Sequence, residues 1–187
     1  GGGEAVGICG SGIIDAAAAA LDAGLLNARG RIQNENRQIQ LTDSIYLTQE
    51  DIRQVQLAKG AIAAGIELMA DHLGVALQDI KTVYLAGAFG TFIDPASACR
   101  IGLLPPVLES KIKAVGNAAG SGAKLLAVNS QALLLTQQLS ENIEFLELGS
   151  LAKFQRCFAE NMRFSSDEYW CEKALSFGFT RAVPLDV

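Results

Sequence analysis

Thr82-Val83-Tyr84-Leu85-Ala86-Gly87-Ala88-Phe89-Gly90 decides the fold class of this chain. Its first five residues carry no charge and favour extended backbone, the composition of a buried strand. That strand runs straight into a glycine-rich turn. Asp94-Pro95 follows, an N-cap with proline at the first helical position, so a short helix is predicted that ends near Gly102. Strand, tight turn and helix in that order form a unit of α/β architecture.

The pattern repeats towards the C-terminus. Pro105-Pro106 marks a loop, and Ile112 to Val115 reads as a second short buried strand. It leads into Gly116-Asn117-Ala118-Ala119-Gly120-Ser121-Gly122. Leu125, Val128, Ala132, Leu135 and Leu139 then step 3-4-3-4 along one helix face. Ile143 to Leu148 is expected to be a strand. Ser150 is expected to cap a last helix with Leu151, Phe154, Phe158 and Met162 on one side, as core or docking surface. Residues 165–187 lose clear periodicity, which divides the chain into a domain over 1–164 and a tail over 165–187.

Towards the N-terminus, Thr48 and Asp51 form a variant capping box, and Glu50 adds charge suited to a helix start. Behind it Ile52, Val55, Lys59, Ile62, Ile66, Met69 and Leu73 step 3-4-3-4-3-4, with Gly74 as the stop. Lys59 is the one charge on that stripe; the other faces carry small residues from Ala58 to Gly65. Residues 26 to 47 are polar, with strand-like Arg31-Ile32 and Ile45-Tyr46-Leu47, and are expected to form a hairpin or a surface excursion. The first helix follows Gly7-Ile8-Cys9-Gly10-Ser11-Gly12, with Ile14, Ala18, Leu21 and Leu25 on one face and Gly24 as a stop.

Composition bounds the function. A chain of 187 residues buries about 70% of its unfolded surface, so disulfide staples are not needed. Half of the residues are hydrophobic and 19% are charged, which suits a well-buried domain. The net charge of −5 and the lack of a basic stripe give no support to nucleic-acid binding. No apolar run approaches the roughly 20 residues of a membrane helix, and no secretory signal is visible. Cys9, Cys99, Cys157 and Cys171 make no CxxC pair, so free thiols in the cytoplasm are expected and no metal or cluster is assigned to this chain. The chain opens Gly1-Gly2-Gly3-Glu4 and is expected to be a piece of a longer protein.

Three glycine turns each stand where a helix begins. Glycine lets backbone approach a ligand closely, and helix N-termini offer free N–H groups to phosphate. For any one turn, simple connection of packed elements is the plainer alternative. The first motif is G-x-x-G-x-G, without the preceding strand or following acidic residue of a dinucleotide fold, and the Walker signature is absent.

The stretch from Val83 to Gly90 resembles the adenosine motif of the ATPase superfamily of actin, sugar kinases and heat-shock chaperones (ASKHA), with Ala88 where that motif usually has a second glycine. Gly116 to Ala123 resembles the superfamily's later connecting helix. More specifically, Gly7 to Asp15, Gln56 to Ile62, Leu85 to Asp94 and Val115 to Ala118 are similar to the C-terminal domain of reductive activators of corrinoid proteins, in order and spacing over roughly residues 5 to 164. The resemblance implies a ribonuclease-H-like, actin-like half-domain with a mixed sheet and packed helices. It implies ATP with Mg²⁺ at the sheet edge and a corrinoid protein as partner. It also implies a [2Fe–2S] cluster in an N-terminal region outside these residues, feeding an electron to an inactive Co(II) corrinoid to give Co(I). Gly87, Ala88, Phe89 and Gly90 are then expected near the adenosine, Gly10, Ser11 and Gly12 near phosphate or hinge, and Gly116 and Asn117 beside them.

Single residues carry alternatives. Lys59 either points into the nucleotide cleft or snorkels along apolar surface. His72, the sole histidine, is expected at the surface. Asp15, in the first helical turn, is read as a dipole partner or as a water- or Mg²⁺-linked group, Asp94 as an N-cap, and Cys9 as a small buried residue. No catalytic residue is assigned. A small-molecule kinase and a non-catalytic interaction domain remain as other functions, self-association is open, and membrane and nucleic-acid partners are not expected. The four scattered thiols give a direct test. Anaerobic reconstitution with iron and sulfide is expected to leave this chain without a cluster spectrum; stoichiometric iron and sulfide would overturn that expectation.

Overall fold

The structure, a computed structural model, describes residues 5–164. The expected tail over 165–187, and Cys171 with it, lie outside the described residues. The elements in chain order are α1 (Gly10–Asp22), β1 (Gln38–Gln40), β2 (Tyr46–Thr48), α2 (Gln49–Leu73), β3 (Val83–Ala86), α3 (Gly87–Phe92), α4 (Pro95–Arg100), β4 (Ile112–Gly116), α5 (Ala118–Val128), α6 (Ser130–Glu141) and α7 (Phe154–Asn161). Among them the strands form two pairs, antiparallel β1–β2 and parallel β3–β4.

Helix α1 buries Ile14, Ala17, Ala18 and Ala20, alanines that let α4 approach closely. It ends at Asp22, and Gly24 turns the chain with φ +69°. Leu25 therefore falls beyond the helix and is 43% exposed, not on its inner face as the spacing suggested. The segment that follows is a hairpin. Ile39 pairs with Leu47 across β1 and β2, and both are buried. The expected strand at Arg31-Ile32 is one isolated bridge between Ile32 and Leu26.

The capping box of α2 is present in full. The Asp51 amide donates to Thr48 Oγ1 at 3.2 Å, and the Thr48 amide donates to Asp51 Oδ2 at 2.8 Å. Gly74 closes the helix with φ +65°. The buried face, however, is not the predicted stripe along its whole length. Ile52 and Val55 are buried, but Ile62, Met69 and Leu73 are exposed, while Ala63, Ala64, Glu67 and Leu68 turn inward. Close packing explains the switch. A Cβ at Gly60 would stand 3.2 Å from Met162, and one at Gly65 3.2 Å from Leu148 Cδ1, so the C-terminal segment lies against the small-residue face. There Phe154 and Phe158 stack with centroids 5.9 Å apart, beside Ala64, Leu68 and Cys157.

Parallel β3 and β4 pair Val83 with Ile112 and Leu85 with Ala114. Both were expected to be buried. Leu85 and Ile112 do pack on the main core, but Tyr84 is 66% exposed, because only one face of this pair is covered by the described residues. Three further expectations are corrected. The stripe from Leu125 to Leu139 is cut at Asn129, whose extended backbone breaks the helix and whose side chain accepts from the Gln131 and Ala132 amides. Residues Ile143 to Leu148 form no strand, and Ile143 and Phe145 are exposed. Ser150 Oγ donates to the Glu147 carbonyl inside a 3₁₀ turn, so it does not cap α7, which starts at Phe154. Pro105-Pro106 likewise opens a 3₁₀ turn over Pro106–Lys111.

The main core joins α1, the hairpin, the start of α2, and Ile101, Leu103 and Leu104 after α4. The cap that starts α2 is testable. Thr48→Ala is expected to lower stability by about 1 kcal/mol, read as a lower urea midpoint at constant slope. An unchanged midpoint would mean that packing alone holds the first turn.

Candidate functional site

Parallel pairing brings two of the three glycine turns together. Ala86 pairs with Gly116, so the C-terminal ends of β3 and β4 emerge side by side, each leading into a helix. In parallel α/β sheets this is the end where ligands bind. Gly87 has φ +85° and Gly116 φ +62°, backbone conformations that side chains oppose. Apart from chain neighbours and the backbone of the helix that Gly87 starts, no described atom lies within 4 Å of where a Cβ would stand on either, so the space beside both turns is open.

Each turn is fixed by local chemistry. Thr91 Oγ1 donates to the Gly87 carbonyl at 2.8 Å. Gly90 lies so close to Leu85 that a Cβ would be 3.0 Å from its backbone carbon. Asn117 caps α5, its Oδ1 accepting from the Gly120 amide at 2.9 Å. A Cβ on Gly120 would stand 2.6 Å from Asn117 Nδ2, so a side chain there would push the Asn117 amide out of its present position.

The first turn joins them through an aromatic ring. A Cβ on Gly10 would meet Phe89 at 3.0 and 3.2 Å, so the start of α1 is seated on the ring that follows Gly87. Ser11 is buried beside it. Cys9 is exposed, not buried as expected, and is the N-cap of α1: its sulfur accepts from the Gly12 amide at 3.4 Å and lies 3.4 Å from Ser11 Oγ. The Ser11 hydroxyl first, then the Gly12 amide, hold the Cys9 thiol below its ordinary range. Cys99 is the opposite case. Burial first, then the charges of Glu109 and Asp94, push it up to about 12.

Gly10, Ser11 and Gly12 thus share one neighbourhood with Gly87, Ala88, Phe89 and Gly90, and Gly116 and Asn117 flank it across the strand pair. Lys59 is not in that group. It is 1% exposed on the face of α2 against α7, where its ammonium donates to the carbonyls of Asn161, at 2.6 Å, and Arg163, with the Phe164 ring 5.5 Å away. Neither an open cleft nor a snorkelling stem describes it, because helix-end carbonyls bind its charge in the interior. Asp15 is exposed in the second turn of α1, not the first, and Asp94 caps α4 through the Ser97 amide at 2.8 Å. His72 lies at the surface, 3.0 Å from Glu144.

Sequence reasoning missed the buried polar residues Gln56, Glu67 and Asn161. A signal existed: Gln56, Lys59 and Glu67 stand three and eight residues apart, on one helix face. Among the described residues no group of three or more His, Cys, Asp or Glu could hold a metal ion, and no helix is long and apolar enough to cross a membrane.

Comparison with known proteins finds a matching family over residues 1–173, described as the C-terminal domain of RACo, the ASKHA domain. The corrinoid activation enzyme RamQ of Eubacterium limosum is 30% identical over 187 residues, covering 86% of this chain and 32% of the relative. A [Co(II) methylated amine-specific corrinoid protein] reductase of Methanosarcina barkeri is 30% identical over 188 residues, covering 98% of this chain and 31% of its own length. Among solved structures, a reductive activator for corrinoid,iron-sulfur protein superposes with a TM-score of 0.74 at 29% identity, over 84% of this chain and 28% of that one. The chain therefore spans about a third of the length of the curated relatives it matches.

The two thiol environments predict different reactivity. Near neutral pH, iodoacetamide is expected to label Cys9 early and Cys99 only on unfolding, followed by peptide mass spectrometry. Labelling of native Cys99 at the rate of Cys9 would contradict the burial assigned to it.

Proposed function

We infer the function of this chain from its membership: it belongs to the family of the C-terminal domain of RACo, the ASKHA domain. On that footing it is the nucleotide-binding portion of an ATP-dependent activator of corrinoid proteins. In the whole protein ATP drives the one-electron return of an inactive Co(II) corrinoid to Co(I), the electron coming from a [2Fe–2S] cluster held outside these residues. The names of the relatives, a corrinoid activation enzyme and a corrinoid protein reductase, support this partner over the sugar or acid acceptor of a kinase. A cytoplasmic setting agrees with free Cys9 and Cys99.

The observation that carries the reading is the pair of left-handed glycines, Gly87 and Gly116, side by side at the ends of two parallel strands with open space above them. Backbone without side chains can approach a ligand there. Gly87, Ala88, Phe89 and Gly90 would line the adenosine. Gly116 and Asn117 would form the adjoining wall, and Gly10, Ser11 and Gly12 would stand towards phosphate, where the N-terminus of α1 favours negative charge. Mg²⁺ would arrive with the phosphates, supplying charge neutralisation for phosphoryl transfer. Lys59 stands apart from these turns, its ammonium donating to the carbonyls of Asn161 and Arg163. Phosphoryl transfer depends on positioning from both sides of a cleft, and these turns supply one side, so the chain by itself is expected to hydrolyse ATP little.

Gly87→Val in the full-length protein tests the site. It places a β-branched side chain at φ +85° where backbone is to meet the ligand. ATP or ADP binding is expected to weaken by about tenfold or more, about 1.4 kcal/mol, by calorimetric titration of the folded protein. A thermal melt run alongside separates this from lost stability. Unchanged affinity in a well-folded variant would move the site elsewhere.

A further inference from the structure

We propose that Phe89 is a positioning residue whose ring, seated on Gly10, ties the start of α1 to the β3–α3 turn, so that two glycine turns are placed as one body. The proposal rests on the nucleotide-binding reading above and adds how that site is held in register.

The geometry is specific. Gly10 is absent from the glycines with positive φ, so its backbone would accept any side chain. Outside its chain neighbours and its own helix backbone, the described atoms within 4 Å of its Cβ position are both in the Phe89 ring, Cε2 at 3.0 Å and Cδ2 at 3.2 Å. A side chain at position 10 would press on this ring, which would have to give by a few tenths of an ångström, while the backbone itself would allow it. Helix α3 has six residues, too short to hold its own orientation by helix stability. It is held by contacts: Gly90 against Leu85, Thr91 to the Gly87 carbonyl, and Phe89 on Gly10. The first two lie within the strand–turn–helix unit itself. The helix also packs along β4, whose end carries Gly116; the third contact reaches α1, and Phe89 follows Gly87 by two residues. A shift of the ring therefore moves the left-handed turn relative to α1.

The test is a double-mutant cycle in the full-length protein, with ADP affinity from calorimetric titration and stability from thermal melts. Gly10→Val fills the seat of the ring and is expected to weaken ADP binding about tenfold. Phe89→Ala removes the ring and is expected to weaken it similarly. In the double variant the valine has nothing to displace, so affinity is expected to equal that of Phe89→Ala alone. A merely structural contact would lower melting temperature in each single variant and leave the affinity of the folded fraction unchanged, which overturns the proposal. Additive losses in the double variant also overturn it, since they would mean two independent contacts with the nucleotide. A wild-type protein that binds no nucleotide overturns the site itself and this proposal with it, and is told apart from the other failures by the wild-type titration.

Discussion

The ammonium of Lys59 lies in the interior at the end of α7, donating to the carbonyls of Asn161 and Arg163 and facing the Phe164 ring. A buried charge is tolerated only when paired and hydrogen-bonded. The last carbonyls of a helix lack partners and carry partial negative charge, so a lysine reaching them meets both needs at once. The seam continues on either side. Gln56 Nε2 donates to the Met162 carbonyl at 2.9 Å and to that of Arg29 at 3.2 Å. Glu67 accepts from Asn161 Nδ2 at 3.2 Å and from Cys157 Sγ at 3.1 Å. All but the bond to Arg29 span about a hundred residues of sequence, and they fix α7 along α2 at one register. Apolar packing alone, which is not directional, would leave α7 freer to slide.

With α7 fixed, the small residues of α2 acquire a purpose. Gly60 and Gly65 let the C-terminal segment sit close, and Ala63 and Ala64 are wholly buried. The other face of α2 begins at the hairpin and meets α1, whose own alanines bring α4 near. Through α1 the arrangement reaches Gly10 and the ring of Phe89. The seam and the glycine turns are thus linked through one scaffold built on short side chains.

Much of the scaffold was legible in the residues. Thr48, Asp51 and Gly74 bounded α2 because caps act locally, and Asp94-Pro95 started α4 for the same reason. The strand-turn-helix units at Val83 and Ile112 were legible because composition changes sharply there. Periodicity misled wherever tertiary contact chose between two faces. The bulky stripe of Ile62, Met69 and Leu73 looked like core, yet α7 settled on the alanine side, where helices come closer. Gln38-Ile39-Gln40 offered one apolar residue between two glutamines, too little for a strand signal. Asn129 hid inside a regular 3-4 pattern although its side chain was better suited to start a new helix. For the site, the sequence marked the three turns but not the ring contact that joins two of them. Lys59 was noticed for its charge, and its partners lay a hundred residues away.

The two helices on either side of Asn129, α5 and α6, bury no residue, in contrast to a body in which α2 and α7 interlock. Protection of backbone amides follows such burial. Proton exchange with solvent should then divide the molecule into a slow unit, α1, α2 and α7, and a fast one beginning just after Gly116. The wall beside the candidate site belongs to the fast unit. A ligand bound there would slow exchange in α5, and in that sense the ligand would complete the folding of the helix beside it.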